Sequence, residues 1–414
     1  MFIMYEKELQ ESYAADRELL RDKVHEPLWT RNYIMHLLVY FLVFIVFYLF
    51  MIYTTRVAMT EFSTSVSEAG FASGLFIVSA IFARMFAGRY MDFIGRKKLM
   101  LISGAGYFIF TLGYHIVSSL TELCILRFLH GITYGIIATV IGAVSVSIIP
   151  ASRRGEGLGY FSLSMTLGAA IGPFLGVTLP QINPLYALIL CDVVSLLIFL
   201  LSFLLYVPEI KVGFRQRVMV KTLKLNTFIE PKALGISVVA LLGAMGYSAI
   251  MSYIGTYSES INLLLGGSLF YVVYSIVCLV SRPLIGIVLD KWGNDVVMIP
   301  VLFLMIFGFL AVAWAESNVV LLVGAALIAI GYGTIPSAGQ AIAVQNVKPQ
   351  QYGMATATFY MALDTGNGIG PSILGQIVPI YGFRAVYVCS AFFAACAFIY
   401  YCIYAYVRRN KTAK

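Results

Sequence analysis

Asp364 and Arg127 are the residues whose types and positions could do chemistry, because each is a charge inside a long apolar run. A charged side chain near the centre of a bilayer raises the cost of insertion by roughly 3 kcal/mol, so it should face a cavity or a partner. Asp364 lies in Met361-Ala362-Leu363-Asp364-Thr365-Gly366. A carboxylate there is either desolvated or held by a partner such as Arg127, and either way it could exchange a proton as its surroundings alternate. Helical spacing puts Arg127, His130, Gly131 and Tyr134 on one face. His130 reads as a packed or hydrogen-bonded residue, and with Tyr134 and Tyr332 it is a candidate lining of a pocket. Asp192 and Glu68 read as structural and solvated acids. Four histidines in all, with no nucleophile–base pair and no metal-ligand spacing, argue against an enzyme, a metal site or a cofactor.

These groups need elements to position them, and composition says which. The chain has 414 residues, 60% hydrophobic and 12% charged, whereas a soluble domain carries about 25% charged residues. Unbroken apolar runs of spanning length, without the short alternating segments of a barrel, read as transmembrane helices. Hydropathy puts twelve spans at roughly 33–54, 67–89, 98–118, 122–148, 157–179, 184–206, 234–256, 262–284, 296–315, 318–342, 352–379 and 384–407. All six cysteines fall within apolar runs, as buried small hydrophobes do.

The net charge of +8 is explained by topology and not by nucleic acid. With Arg84 and Arg127 inside helices, the remaining Lys and Arg split 24 to 2, and only Arg56 and Arg384 fall on the minority side. That count places Arg282 at the end of a span. The asymmetry predicts both termini in the cytoplasm. The expected organisation is a tail over 1–32, six helices over 33–206, a basic linker over 207–232, six helices over 233–407 and a tail over 408–414. Tyr5–Glu26 has the composition of a charged helix, without an assigned role.

A shift of 198 positions aligns the two halves without gaps. Arg84 falls on Arg282, Gly88 on Gly286, Asp92 on Asp290, Gly95 on Gly293, Gly168 on Gly366, and Gly172-Pro173 on Gly370-Pro371. Shared apolar composition would scatter Leu and Ile matches and would not align Gly-Pro, Asp and Arg together. Two parallel six-helix repeats are a transporter architecture, with solute held near mid-membrane between them.

Gly88-Arg89-Tyr90-Met91-Asp92-Phe93-Ile94-Gly95-Arg96-Lys97-Lys98 resembles the loop 2–3 signature of the major facilitator superfamily. Gly88 permits close helix approach, Gly95 a tight left-handed turn, and Asp92 can pair with Arg96 or a helix N-terminus. With Lys97 and the repeated Asp290, these residues read as a gating latch. The second copy lacks the trailing basic cluster and is expected to latch more weakly. Gly159, Gly168, Gly172, Pro173 and Gly176 are similar to the fifth-helix signature of the family's proton-coupled antiporters, with Val177 where Gly is usual. They would form a bendable, close-packed seam between bundles. The Arg127 stretch is similar to a fourth-helix motif linked to proton coupling, with His130 where Gln is common.

The resemblance covers nearly the whole chain beyond residue 27. It implies an all-α membrane protein in the plasma membrane, expected to be a monomer, whose partners are a small solute, protons and lipid. The expected activity is proton-coupled export by alternating access. A sugar or metabolite symporter or facilitator of the same fold stays open, and a membrane-embedded enzyme is the disfavoured reading. No ATP-binding Gly-x-x-x-x-Gly-Lys-Ser/Thr loop occurs. The first span holds no acid, which argues against a cationic solute.

Overall fold

The computed structural model describes residues 27–64, 66–210 and 228–412. The Tyr5–Glu26 segment and most of the 207–232 linker lie outside the described residues. Twelve α-helices run through the rest: α1 Arg31–Thr60, α2 Val66–Ile94, α3 Arg96–Leu112, α4 Leu120–Ile148, α5 Arg154–Ile182, α6 Pro184–Leu204, α7 Pro231–Ser260, α8 Leu264–Trp292, α9 Asn294–Ala313, α10 Asn318–Gln345, α11 Tyr352–Gly375 and α12 Val378–Thr412. Ten of them are individually long and apolar enough to cross a membrane. The other two are α3, with 17 residues, and α11, which carries Asp364 and Asn367 among small residues. The chain is a multi-pass membrane protein.

The helices begin where a side chain can satisfy the first free amides. Thr30, Ser119 and Ser317 accept from Tyr33, Glu122 and Val320, and Asn183 and Glu230 cap helices that open on Pro184 and Pro231. Most helices run past the hydropathy windows, as α1 does by six residues at its far end. Hydropathy registers only the part in hydrocarbon, while the hydrogen-bonded spiral continues into the headgroup region. The third span ends earlier than its window, in a tight turn over Gly113–His115.

Helices α1–α6 form one bundle and α7–α12 another. Within each, the same pairings recur: α2 with α4 and α1 with α5 in the first, α8 with α10 and α7 with α11 in the second. The bundles meet along two seams, α2 against α11 and α5 against α8, which the 198-residue shift exchanges. Two pairs of repeat mates touch directly. Gln340 Nε2 donates to the Gly142 carbonyl at 3.3 Å, and Arg154 Nη2 to the Tyr352 hydroxyl at 3.3 Å. Such contacts are expected where the axis relating the repeats passes between them. The turn glycines match too: Gly95 has φ +98° and Gly293 φ +87°, values that side-chain-bearing residues avoid.

Candidate functional site

Among the described residues, one ion pair joins the bundles at mid-depth. Arg84 Nε donates to Asp364 Oδ2 at 2.8 Å, from α2 to α11. Arg84 lies ten residues from the end of α2 and Asp364 twelve from the start of α11, about 15–18 Å along each helix from that end. The Arg84 side chain is 2% exposed and that of Asp364 21%, so the carboxylate is the member that water can reach. The guanidinium also sits 5.4 Å from both the Tyr134 and the Tyr360 ring centres, and Nη1 donates to Thr139 at 3.4 Å. Tyr360 in turn donates to Gln340 Oε1 at 3.1 Å. The partner of Asp364 is therefore Arg84, not Arg127 as the sequence had proposed.

Arg127 lies elsewhere. It is fully buried inside the first bundle, where Nη2 donates to the Ser73 carbonyl at 3.1 Å and touches Met51 Sδ at 3.2 Å. Its guanidinium stands 4.4 Å from the Phe76 ring centre. His130 packs between aromatic rings, 4.5 Å from Tyr107, with Nδ1 3.2 Å from the Tyr114 hydroxyl. Of the expected pocket residues, Tyr134 stacks on Phe47 and faces Arg84. Tyr332 stacks on Tyr247 with ring centres 3.9 Å apart and accepts from Asn367 Nδ2 at 3.2 Å. His130 belongs to the bundle interior, one layer away from that central zone. Asp192 pairs with His115 at 2.7 Å on the opposite half of the first bundle.

Arg282, counted in the sequence at a span end, proves to be intramembrane. The α8 helix continues ten residues past it to Trp292, and Arg282 is 2% exposed. The Arg282-Pro283 step depresses local hydropathy, which closed the window too soon. Its Nη1 donates to the Ser162 carbonyl at 2.5 Å and to Ser162 Oγ at 3.2 Å, so it bridges the α5/α8 seam as Arg84 bridges α2/α11.

The loop joining α2 and α3, expected from the sequence to be a latch, lies at the end of the molecule that bears the described chain termini. Arg96 Nε donates to Asp92 Oδ1 at 2.6 Å, Nη1 to Ser147 Oγ at 2.9 Å, and Nη2 across the bundles to the Pro349 carbonyl at 3.4 Å. Glu209 accepts from the backbone amides of Arg96 and Lys97 at 2.9 and 2.8 Å. Lys97 Nζ caps the end of α6 through the carbonyls of Ser202, Phe203 and Leu205. The second copy makes its own contact between the bundles without a basic cluster. Asp290 reaches across the seam and accepts from the Gly155 and Glu156 amides at 2.7 and 2.9 Å, at the N-terminus of α5. A carboxylate needs free amides and the positive helix end, not a basic cluster, to grip the other bundle. A Cβ on Gly88 would lie 2.9 Å from the Gly353 carbonyl oxygen, and one on Gly286 2.4 Å from that of Gly155. Glycine at both places lets the backbones meet.

The fifth-helix glycines divide between two jobs. A Cβ on Gly159 would meet the Arg282 carbonyl of α8, across the seam, at 2.8 Å. Those on Gly168, Gly172 and Gly176 would instead strike Phe44, Tyr48 and Leu49 of α1. Three of the four therefore pack within the first bundle, which corrects the expectation of a seam between bundles. The nine residues from Gly159 to Gly168 make about two and a half turns of a helix with 3.6 residues per turn, so Gly159 lies on the face opposite the other three. Pro173 lies inside the same unbroken helix.

Among the described residues, every hydrogen bond between bundles lies at mid-depth or toward the latch. Glu68 aside, the described residues of the opposite end make no hydrogen bond between the bundles. The arrangement closes one mouth of the central zone and leaves the other unbraced.

Comparison with known proteins agrees with this geometry. A family model described as Major Facilitator Superfamily matches residues 37–318 and 236–414. An uncharacterized MFS-type transporter of Methanocaldococcus jannaschii is 25% identical over 79% of this chain and 86% of its own length. Multidrug resistance protein MdtG of Escherichia fergusonii is 26% identical over 92% of this chain and 96% of its own. Among solved structures, the human organic anion transporter MFSD10 superposes with TM-score 0.71 at 16% identity, over 91% of this chain and all of that one. FucP in its outward conformation superposes with TM-score 0.71 at 15% identity, over 90% and 98%. At those identities the structural likeness concerns the fold.

Proposed function

The chain belongs to the major facilitator superfamily and is a transporter, not an enzyme; on that premise we propose that it exports a small organic solute in exchange for protons. The observation that carries this reading is the Arg84–Asp364 pair, a titratable bridge between the bundles at mid-membrane. In the proposed cycle the ionised pair, the Arg282 contact and the latch hold the mouth at the termini shut. Those termini are cytoplasmic by the charge asymmetry, 23 to 2 once Arg282 is counted inside the membrane, so the unbraced mouth faces outward, across the plasma membrane. A proton arriving from outside neutralises Asp364 and removes its attraction for Arg84. The α2/α11 seam then parts, the bundles rock, and the proton leaves inward. Solute bound from the cytoplasm with Asp364 ionised restores the pair and returns the carrier outward. Each ligand thus shifts the equilibrium by its differential affinity for the two states.

Further support comes from the MdtG relatives, named for multidrug resistance, and from the fifth-helix glycines. Arg127, buried in the first bundle, acts in this scheme by fixing α1, α2 and α4 around the central zone. The protein functions as a monomer. The test is purified protein in vesicles with a pH gradient, read for solute-dependent proton movement. Proton entry on solute exit supports exchange. Proton and solute moving together would make the chain a symporter, and solute counterflow with no proton movement would make it a facilitator.

A further inference from the structure

Arg282 is a buried cation at mid-membrane whose hydrogen-bonded partners are neutral. Both described bonds go to Ser162, through its carbonyl and hydroxyl oxygens, and its Nε, shielded from solvent, has no hydrogen-bond partner. The repeat makes the deficit plain. Arg84, its mate by the 198-residue shift, meets Asp364; the position corresponding to Asp364 in the first half is Thr166, a neutral residue. The central zone therefore holds two arginines and one acid. Arg282 bridges α5 and α8 ten residues from the end of α8, about 15 Å along the helix axis.

An uncompensated guanidinium in hydrocarbon is costly, and such a charge ordinarily marks the place where a counter-ion sits. A guanidinium fork is matched to planar oxyanions. We infer that the transported solute carries a carboxylate or similar oxyanion, and that Arg282 binds it. The solute's anionic group takes the place of the Ser162 oxygens when the α5/α8 seam loosens, and its apolar remainder lies against the Tyr247 and Tyr332 rings. Division of labour follows: Asp364 and Arg84 handle the proton on one seam, and Arg282 handles the solute on the other. This inference rests on the transporter reading but not on coupling or direction.

The test is equilibrium binding to the full-length protein in detergent, without any gradient. The probes are fluorescein, an anionic dye, and rhodamine 123, a cationic dye on the same ring system, followed by fluorescence polarisation. Saturable fluorescein binding is expected, displaced by benzoate and not by benzamidine. Arg282→Gln should raise the fluorescein Kd at least about tenfold, as loss of one member of a buried charged contact does, and Arg282→Lys should retain part of the affinity. The competition of benzoate against benzamidine needs no variant, so it decides the matter even if Arg282→Gln fails to fold. Saturable rhodamine 123 binding in place of fluorescein, displacement by benzamidine, wild-type affinity in Arg282→Gln, or no saturable fluorescein binding would each overturn the inference. Arg282-dependent binding in a protein that moves no protons would overturn the exchange reading and leave this one standing.

Discussion

Arg84 and Arg282 occupy equivalent places in the two repeats and end in unlike company. Arg84 holds a carboxylate 2.8 Å away, whereas Arg282 holds the serine oxygens of Ser162. Each bridges one of the two seams between bundles at the same depth. The duplicated scaffold thus sets a carboxylate against the arginine of one seam and neutral serine oxygens against the arginine of the other.

The Arg84–Asp364 pair should show its worth in a double-mutant cycle. Arg84→Gln and Asp364→Asn each strand the other charge, so each single variant should lose more stability than the double does. The coupling energy should be about 1–3 kcal/mol, read from detergent-phase melting. Transport driven by a pH gradient should fall at least about tenfold in all three. Additive losses of stability would mean that the two side chains do not interact.

The latch predicts an order of effects. Asp290→Asn removes the charge from two amide contacts across the seam, whereas Asp92→Asn weakens a bond within its own loop. Both should slow turnover, and Asp290→Asn should do so more. Solvent accessibility of a cysteine replacing Tyr352, buried where α11 meets Arg154 of the other bundle, checks this, since opening of that mouth exposes it. Unchanged accessibility in Asp290→Asn would remove Asp290 from the latch.

Gly88→Val puts branched carbons where a Cβ already meets Ala357 and Gly353 of α11. The closed mouth cannot form, while each bundle keeps its own packing. The variant should insert and remain monodisperse but stay open at the termini, with transport reduced at least about tenfold. Normal transport would show that the seam need not close so tightly.

Arg127→Ala empties a fully buried site between α1, α2 and α4. It should lower melting temperature and abolish gradient-driven transport together, since its contacts are structural. Lost transport with an unchanged melting temperature would instead give Arg127 a direct part in coupling.

Much of this architecture was legible in the residues. Apolar runs gave the twelve helices because backbone groups in lipid must be paired within each span. The 198-residue shift was visible because Gly-Pro, Asp and Arg carry strong backbone and charge constraints, and Gly95 and Gly293 duly share a left-handed turn. The pairing partners were not legible. Asp364 could have met any buried cation, and which one depends on how α2 crosses α11, a matter of packing between distant segments. Arg282 was hidden by the polar dip it causes itself, although its repeat mate Arg84 already stood within a helix; carrying the α2 boundary over to α8 would have found it. The fifth-helix glycines show the remaining limit: spacing announces close contact but not with which helix.

The most direct test of two bundles rocking about the Arg84–Asp364 seam is a pair of spin-label distances measured by pulsed electron resonance in a cysteine-free background. One pair, Phe71→Cys with Ile373→Cys, spans the unbraced end of α2 and α11, and the other, Ile94→Cys with Lys348→Cys, spans the latch. Asp364→Asn, which mimics the protonated acid, should shorten the first distance and lengthen the second. If both distances change in the same sense, or neither changes, the bundles do not alternate about this pair and the account fails.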